Sequence, residues 1–267
     1  MINQIHSDPI TDDRKDLAAA RQERIHDILG QRRIARVEDL CRELGVSAAT
    51  VRRDLAELDQ RGQLQRVHGG AVSVQSRMDE PGFEDKTTLA AREKQRIAAA
   101  ALKFFKPNDS IFLDGGSTVL ALARLLAGNN SVTVVTNSVQ VAGAFSATGP
   151  RMILLGGELR RLSQTFVGPL TRPLIDLLHI DTAFMGTIGL SDRHGMTTTD
   201  PREAQTKEMV IDHARQVVLL ADSTKIGKVS FVRFSSLDRV DALITDAGAD
   251  RGELRRFRKR GIKTIVV

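Results

Sequence analysis

Two groups of residues in this 267-residue sequence have types and spacings that can do chemistry. The first is Ser47, Thr50, Arg52 and Arg53, followed by Arg66, His68 and Gly69. Arginine donates in a fork that matches guanine edges and phosphate oxygens. Hydroxyls and free amides at a helix start hold phosphates, and glycine lets backbone come close. Together they fit recognition of double-stranded DNA. The second group is Asp114, Gly116, Ser117 and Thr118, then Thr136, Asn137, Gly156, Gly157, Lys207, Asp222 and Lys225. Glycine, hydroxyl, carboxylate and ammonium groups that converge suit a polyhydroxylated, anionic small molecule. The carboxylates Asp114, Asp200, Glu203 and Asp222 also offer a base for proton abstraction beside a carbonyl. An enzyme is therefore the rival reading, and an architectural DNA-binding protein without a ligand is a third.

The first group needs a rigid frame, and the local pattern supplies one. A helix over residues 16–31 would place Ala20, Ile25, Ile28 and Leu29 on one side. A second, Val37–Leu44, gathers Val37, Leu40, Cys41 and Leu44 and ends at Gly45. A third starts from Ser47, a good N-cap, and runs to Arg61 before Gly62. Helical periodicity turns Ala48, Val51, Leu55 and Leu58 inward and Ala49, Arg53, Ala56 and Gln60 outward. Strands at 64–67 and 71–74 flank His68-Gly69-Gly70 as a wing. This is the layout of a winged helix-turn-helix, whose second helix enters the major groove.

The second group needs strand ends. Apolar runs recur at 110–114, 132–136, 151–155, 181–186, 217–222, 241–246 and 263–267. Helix-length stretches such as 90–105, 118–127 and 203–214 separate them. Continuous apolar strands alternating with helices predict a parallel α/β sheet covered on both faces. Ligands of such sheets bind outside the carboxyl ends of the strands, where the second group falls. For Lys207, four residues after Glu203, a surface ion pair is an equal alternative to a ligand contact.

Composition sets the bounds. The expected division is a leader at 1–15, a winged helix-turn-helix at 16–74, a linker at 75–88 and an effector domain at 89–267, an α+β multidomain chain. The net charge is +6, yet residues 1–80 carry thirteen Lys/Arg against fourteen Asp/Glu. Charge alone does not locate a DNA-binding domain here. The excess lies in the second part, much of it in residues 251–263, which read as a solvated helix face. One cysteine, Cys41, excludes an internal disulfide, and its place beside Leu40 and Leu44 assigns it to packing. The start lacks the pattern of a signal peptide and no apolar stretch approaches a membrane span, which predicts a cytoplasmic chain. The six histidines show no ligand spacing, so no metal and no cofactor are expected.

The run Val46-Ser47, Thr50-Val51-Arg52-Arg53-Asp54-Leu55, Leu58, Gly62 and Arg66-Val67-His68-Gly69-Gly70-Ala71 resembles the DeoR family of sugar-metabolism repressors. Arg36 departs from the small hydroxyl residue that relatives carry before the second helix. FLDGGST, VVTNS, LLGG, GMTTTDPREAQTK and LLADSTKIG resemble the same family's sensor domain, so the likeness covers roughly residues 20–246. It implies a C-terminal domain similar in fold to ribose-5-phosphate isomerase and a phosphorylated sugar as effector. The partners to expect are operator DNA, that sugar phosphate, and further copies of the chain in a dimer or tetramer. The identity of the sugar, and whether it releases or strengthens DNA binding, stay open at this point.

Overall fold

The computed structural model describes residues 13–32, 34–61, 63–67, 69–73, 80–145 and 149–267. The chain divides into two compact units between Ser76 and Arg77.

In the first unit the elements are α1 (Asp13–Arg32), β1 (Ile34–Arg36), α2 (Val37–Leu44), α3 (Ala48–Gln60), β2 (Leu64–Val67) and β3 (Gly70–Ser73). Ile25, Leu29, Leu40, Val51, Leu55, Leu58, Leu64 and Ala71 form one buried cluster, each large side chain contributing roughly 1.5–3 kcal/mol by leaving water. The three strands make an antiparallel sheet in the order β1-β3-β2. β1 is absent from the sequence expectation, being only three residues long.

Ser47 caps α3 by accepting from the Thr50 amide, and α2 stops at Gly45, as the pattern predicts. Arg36 gives α2 no side-chain cap. The wing makes good the loss: the Val37 amide donates to the Gly69 carbonyl at 2.9 Å. Gly69 holds φ +82, and a Cβ on Gly70 would meet the Ala35 carbonyl oxygen at 2.3 Å. The glycine pair that the sequence suggested for approach to phosphate therefore also has a reason within the fold.

The second unit holds α4 (Phe83–Thr88), α5 (Ala91–Ala101), β4 (Ser110–Leu113), α6 (Ser117–Leu126), β5 (Thr133–Thr136), α7 (Val139–Ala144) and β6 (Arg151–Leu154). There follow β7 (Glu158–Arg160), β8 (Thr165–Val167), α8 (Arg172–Ile175), β9 (Ile180–Met185), β10 (Gly189–Ser191) and β11 (Gly195–Thr198). The last elements are α9 (Pro201–His213), β12 (Ala214–Leu220), β13 (Val232–Ser235), β14 (Ala242–Thr245), α10 (Arg251–Lys259) and β15 (Lys263–Val266). All seven apolar runs become strands of one parallel sheet, in the order β15-β14-β12-β9-β4-β5-β6.

Alternate residues of each strand serve opposite faces. Phe112, Val135, Ala183, Met185, Val217, Leu219 and Leu243 join a core with Met209, Val210 and Phe257 of α9 and α10. Ile111, Leu113, Val134, Phe184, Val218, Leu220 and Ile244 join another with Ile97, Val119 and Leu122 of α5 and α6. The chain leaves β4 towards β5 on one side and leaves β9 towards β12 on the other. The crevice between the carboxyl ends of β4 and β9 is thus the topological switch point, the place where such sheets bind ligands.

One expectation needs correcting. Residues 83–88, read as linker, form α4 and bury Phe83 and Lys86; the polar run hid a single apolar anchor. Thr197 and Thr198 lie on β11 and are buried.

A methyl group at Gly70 would force β1 off β3. Gly70→Ala should therefore lower the stability of the first unit by about 2 kcal/mol or more, seen as an earlier transition in calorimetry. An unchanged transition would show that β1 is dispensable.

Candidate functional site

In the first unit the outer side of α3 presents Ala49, Arg52 and Arg53 to solvent, with Ser47 exposed at the helix start and Thr50 half-exposed. The Arg53 side chain is 83% exposed, its Nε 3.6 Å from Glu57, a surface pair worth little. Arg66 and Gly69 are exposed on the wing, and the Arg66 amide is fixed to Asp59 at 3.0 Å. His68 lies outside the described residues.

What holds α3 in place is partly polar. Asp54 is buried at 2% exposure among the inward residues, and Arg21 of α1 grips it through Nε at 2.5 Å and Nη2 at 3.0 Å. The Asp54 hydrogen bond holds the Arg21 guanidinium above its ordinary pKa. Gln22 donates to Glu57 at 2.9 Å. Two residues of α3 are thus tethered to α1, leaving its arginine side outward.

In the second unit Asp114 directly follows β4 with 2% exposure, and its Oδ2 accepts from the Gly186 amide at 2.8 Å and from Lys207 Nζ. Lys207, on α9, also lies 3.3 Å from the Gly186 carbonyl, 3.6 Å from Glu203 and 5.4 Å above the Phe234 ring. Burial alone would lower its pKa, but Asp114 and Glu203 outweigh that and raise it. Lys207 is not a surface residue: its side chain is 4% exposed. The surface alternative for the Glu203 pair is thereby corrected.

Beside this pair, Gly116 caps α6 and Ser117 and Thr118 open it, so the first amides of α6 point out of the strand end. Thr136 is fully buried and already committed, donating to the Leu113 carbonyl at 2.6 Å. Asn137 donates to the Phe166 carbonyl at 2.9 Å, while its buried Oδ1 has no hydrogen-bond partner among the described residues. Gly156 is half-buried. Gly157 is packed so closely that a Cβ would lie 2.8 Å from Thr171. Asp222 caps the short turn that carries Lys225, and both act electrostatically on Lys94. Of the expected ligand residues, Asp114 and Lys207 touch. The others lie after the carboxyl ends of β4, β5, β6 and β12 or at the start of α6, with Thr136 and Gly157 serving the frame.

Residues 21–77 match the DeoR-like helix-turn-helix domain and residues 89–247 the DeoR C-terminal sensor domain. The chain belongs to the DeoR family. It is 35% identical to the HTH-type transcriptional regulator GlpR of Haloferax volcanii over 93% of this chain and 98% of that protein. It is 36% identical to a lactose phosphotransferase system repressor of Staphylococcus epidermidis over 85% and 91%. DeoR proteins of this kind are transcription regulators, so the chain is a DNA-binding regulator and not an enzyme. Ribose 5-phosphate isomerase A of Methanocaldococcus jannaschii is matched at 19% identity over 50% of this chain and 53% of that one, with a TM-score of 0.38; a likeness at that level carries no argument.

The structure of this DeoR chain adds three charged residues that the sequence left unmarked. Glu80, its side chain 1% exposed, binds Lys86 and Arg160 at 2.7 Å each and accepts from Thr199. Arg160 reaches on to Asp200 at 3.3 Å and to Glu203 at 3.2 Å. Lys94 is buried and donates to the Lys86 and Leu89 carbonyls at the end of α4; burial lowers its pKa. No short-range pattern marks Glu80 or Arg160. Asp54, by contrast, stands three residues after Val51 and four before Leu58, a spacing that places it on the inward stripe.

Burial alone would raise the Glu80 carboxyl, but Lys86 and the Arg160 hydrogen bond outweigh it and hold it down to about 2. A depressed carboxylate stabilises above its unfolded value of 4.5, and that contribution fades as pH falls towards about 2. At roughly 1.4 kcal/mol per unit, Glu80 contributes at most about 3 kcal/mol. Asp200, also held to about 2, acts with the same sign. Glu203, raised by burial, has the opposite sign and loses stability as pH rises. The melting temperature should fall between pH 4.5 and 2, less steeply in Glu80→Gln than in the wild type. Equal slopes would remove Glu80 from the acid response.

Proposed function

We propose that the chain represses a carbohydrate-metabolism operon, binding operator DNA through Ser47, Thr50, Arg52, Arg53, Arg66, His68 and Gly69. A phosphorylated sugar in the second unit releases it. The effector contacts are Asp114, Gly116, Ser117, Thr118, Asn137, Gly156, Lys207, Asp222 and Lys225, with Thr136 and Gly157 shaping the pocket. The observation that carries the reading is the buried Lys207–Asp114 pair at the switch point, beside the first amides of α6. It sets an ammonium and a ring of amide donors where an anionic group would dock, and carboxylate and amide acceptors where hydroxyls would. The relative named as a lactose phosphotransferase system repressor supports a sugar as the signal. A cytoplasmic homo-oligomer follows from function, since paired half-sites multiply operator affinity.

A melting-temperature screen of sugar phosphates tests the effector half. A ligand of the folded state raises the midpoint by mass action, and Asp114→Asn should abolish the rise. If no sugar phosphate moves the midpoint or the DNA affinity, the effector reading fails.

For the DNA half, Arg53→Ala should cost about 1–3 kcal/mol of operator affinity and relax base preference, whereas Arg52→Ala or Arg66→Ala weakens all sequences alike. Operator affinity untouched by Arg53→Ala at fixed salt would show that the groove faces another side of α3.

A further inference from the structure

The charged residues of the second unit form one continuous line of contacts. Asp114 holds Lys207, which lies 3.6 Å from Glu203 Oε1. Glu203 Oε2 lies 3.2 Å from Arg160 Nη1, and Arg160 Nη2 binds Glu80 at 2.7 Å. Every side chain in the line is at most 10% exposed. One end is the switch point. The other is Glu80, four residues into a unit that starts at Arg77, where the polypeptide arrives from the DNA-reading unit.

One link in the line is loose. Arg160 Nη1 and Glu203 Oε2 face each other at ion-pair distance, yet both lack a hydrogen-bond partner among the described residues. The other links are made: Thr198 donates to Glu203 Oε1 at 3.2 Å, and Thr199 and Arg160 both donate to Glu80. A buried pair short of its hydrogen bonds is the part of a network that can rearrange at least cost.

We propose that Glu80 is the residue through which the effector site acts on the chain entering the second unit, a positioning residue that works through Arg160 and Glu203. An anionic group docked at the switch point draws Lys207 away from Glu203. Glu203, buried and stripped of that compensation, takes the loose Arg160 Nη1 into a full hydrogen bond. Arg160, which also faces Asp200, then divides its donors among three carboxylates, and its hold on Glu80 weakens. Glu80 is then held chiefly by Lys86 and Thr199. The coupling rests on the strand-end crevice being the effector site.

The test uses the full chain and a DNA duplex that the wild type selects from a random library. Calorimetry first ranks fructose 6-phosphate, ribose 5-phosphate and glycerol 3-phosphate as probes for the wild type. With the tightest probe at saturation, the wild type should lose DNA affinity at least tenfold. Glu80→Gln should bind the probe within threefold of the wild type, while the probe changes its DNA affinity less than twofold. A merely structural role would shift stability and leave that ratio intact, so a full wild-type response in Glu80→Gln overturns the coupling alone. Failure of all three probes to bind the wild type overturns the crevice reading and the coupling with it. Hydrogen exchange of the wild type needs no variant: amides of residues 82–90 should exchange at least threefold faster with probe bound. Unchanged exchange there, with the probe bound, also overturns the proposal.

Discussion

A buried ammonium has to be neutralised where it stands, and Lys207 places that demand at the centre of the second unit. Leaving water costs a charge several kcal/mol even after relaxation, so partners must come from whichever elements reach it. Asp114 comes from the end of β4, the Gly186 carbonyl from the end of β9 and Glu203 from the preceding turn of α9. The pair therefore pins two adjacent strands and a helix to one another at the point where the strand order reverses. Glu203, drawn inside for Lys207, needs a further cation. Arg160 answers that need and brings Glu80 in behind it. A single charge thus recruits partners from five stretches of sequence.

The first unit solves a smaller version of the same problem. Asp54 sits on the buried stripe of α3, and Arg21 from α1 supplies a two-armed partner. The consequence for DNA reading is orientation. A helix held only by Val51, Leu55 and Leu58 could rotate slightly about its axis at small cost, because apolar contacts are non-directional. A bidentate bond to Asp54 fixes that rotation, and with it the direction in which Arg53 leaves the helix.

How much of this could be read from the sequence depended on range. Strands buried on both faces are continuous apolar runs, and the five inner strands stood out for that reason; the edge strands β6 and β15 are only partly buried but are apolar enough to be read as well. β7, β8, β10, β11 and β13 are three or four residues long and rich in Thr, Ser, Arg and Gly, so no run marks them. Of the candidate site, the strand-end residues were legible because glycine and hydroxyl residues after an apolar run signal a turn into a helix. The burial of Lys207 was not, since the partner that buries it lies 93 residues away in sequence. Glu80 meets Arg160 across 80 residues and Thr199 across 119, and no local pattern reports such pairings.

The carbonyl of Gly69 that receives the Val37 amide has a consequence for how this domain can vary. A helix start capped by its own side chain ties one position to Ser, Thr, Asp or Asn. Here the cap is a piece of backbone from the wing, so residue 36 is free of that duty and keeps only the backbone pairing of its strand with Gly70. The chemical identity at that position is then open to selection for other ends, and an exposed arginine is one outcome. The restriction has moved to Gly70, which cannot change without displacing Ala35. Sequence freedom in this domain is set by where the cap is made, and the wing has shifted it from the helix to the turn.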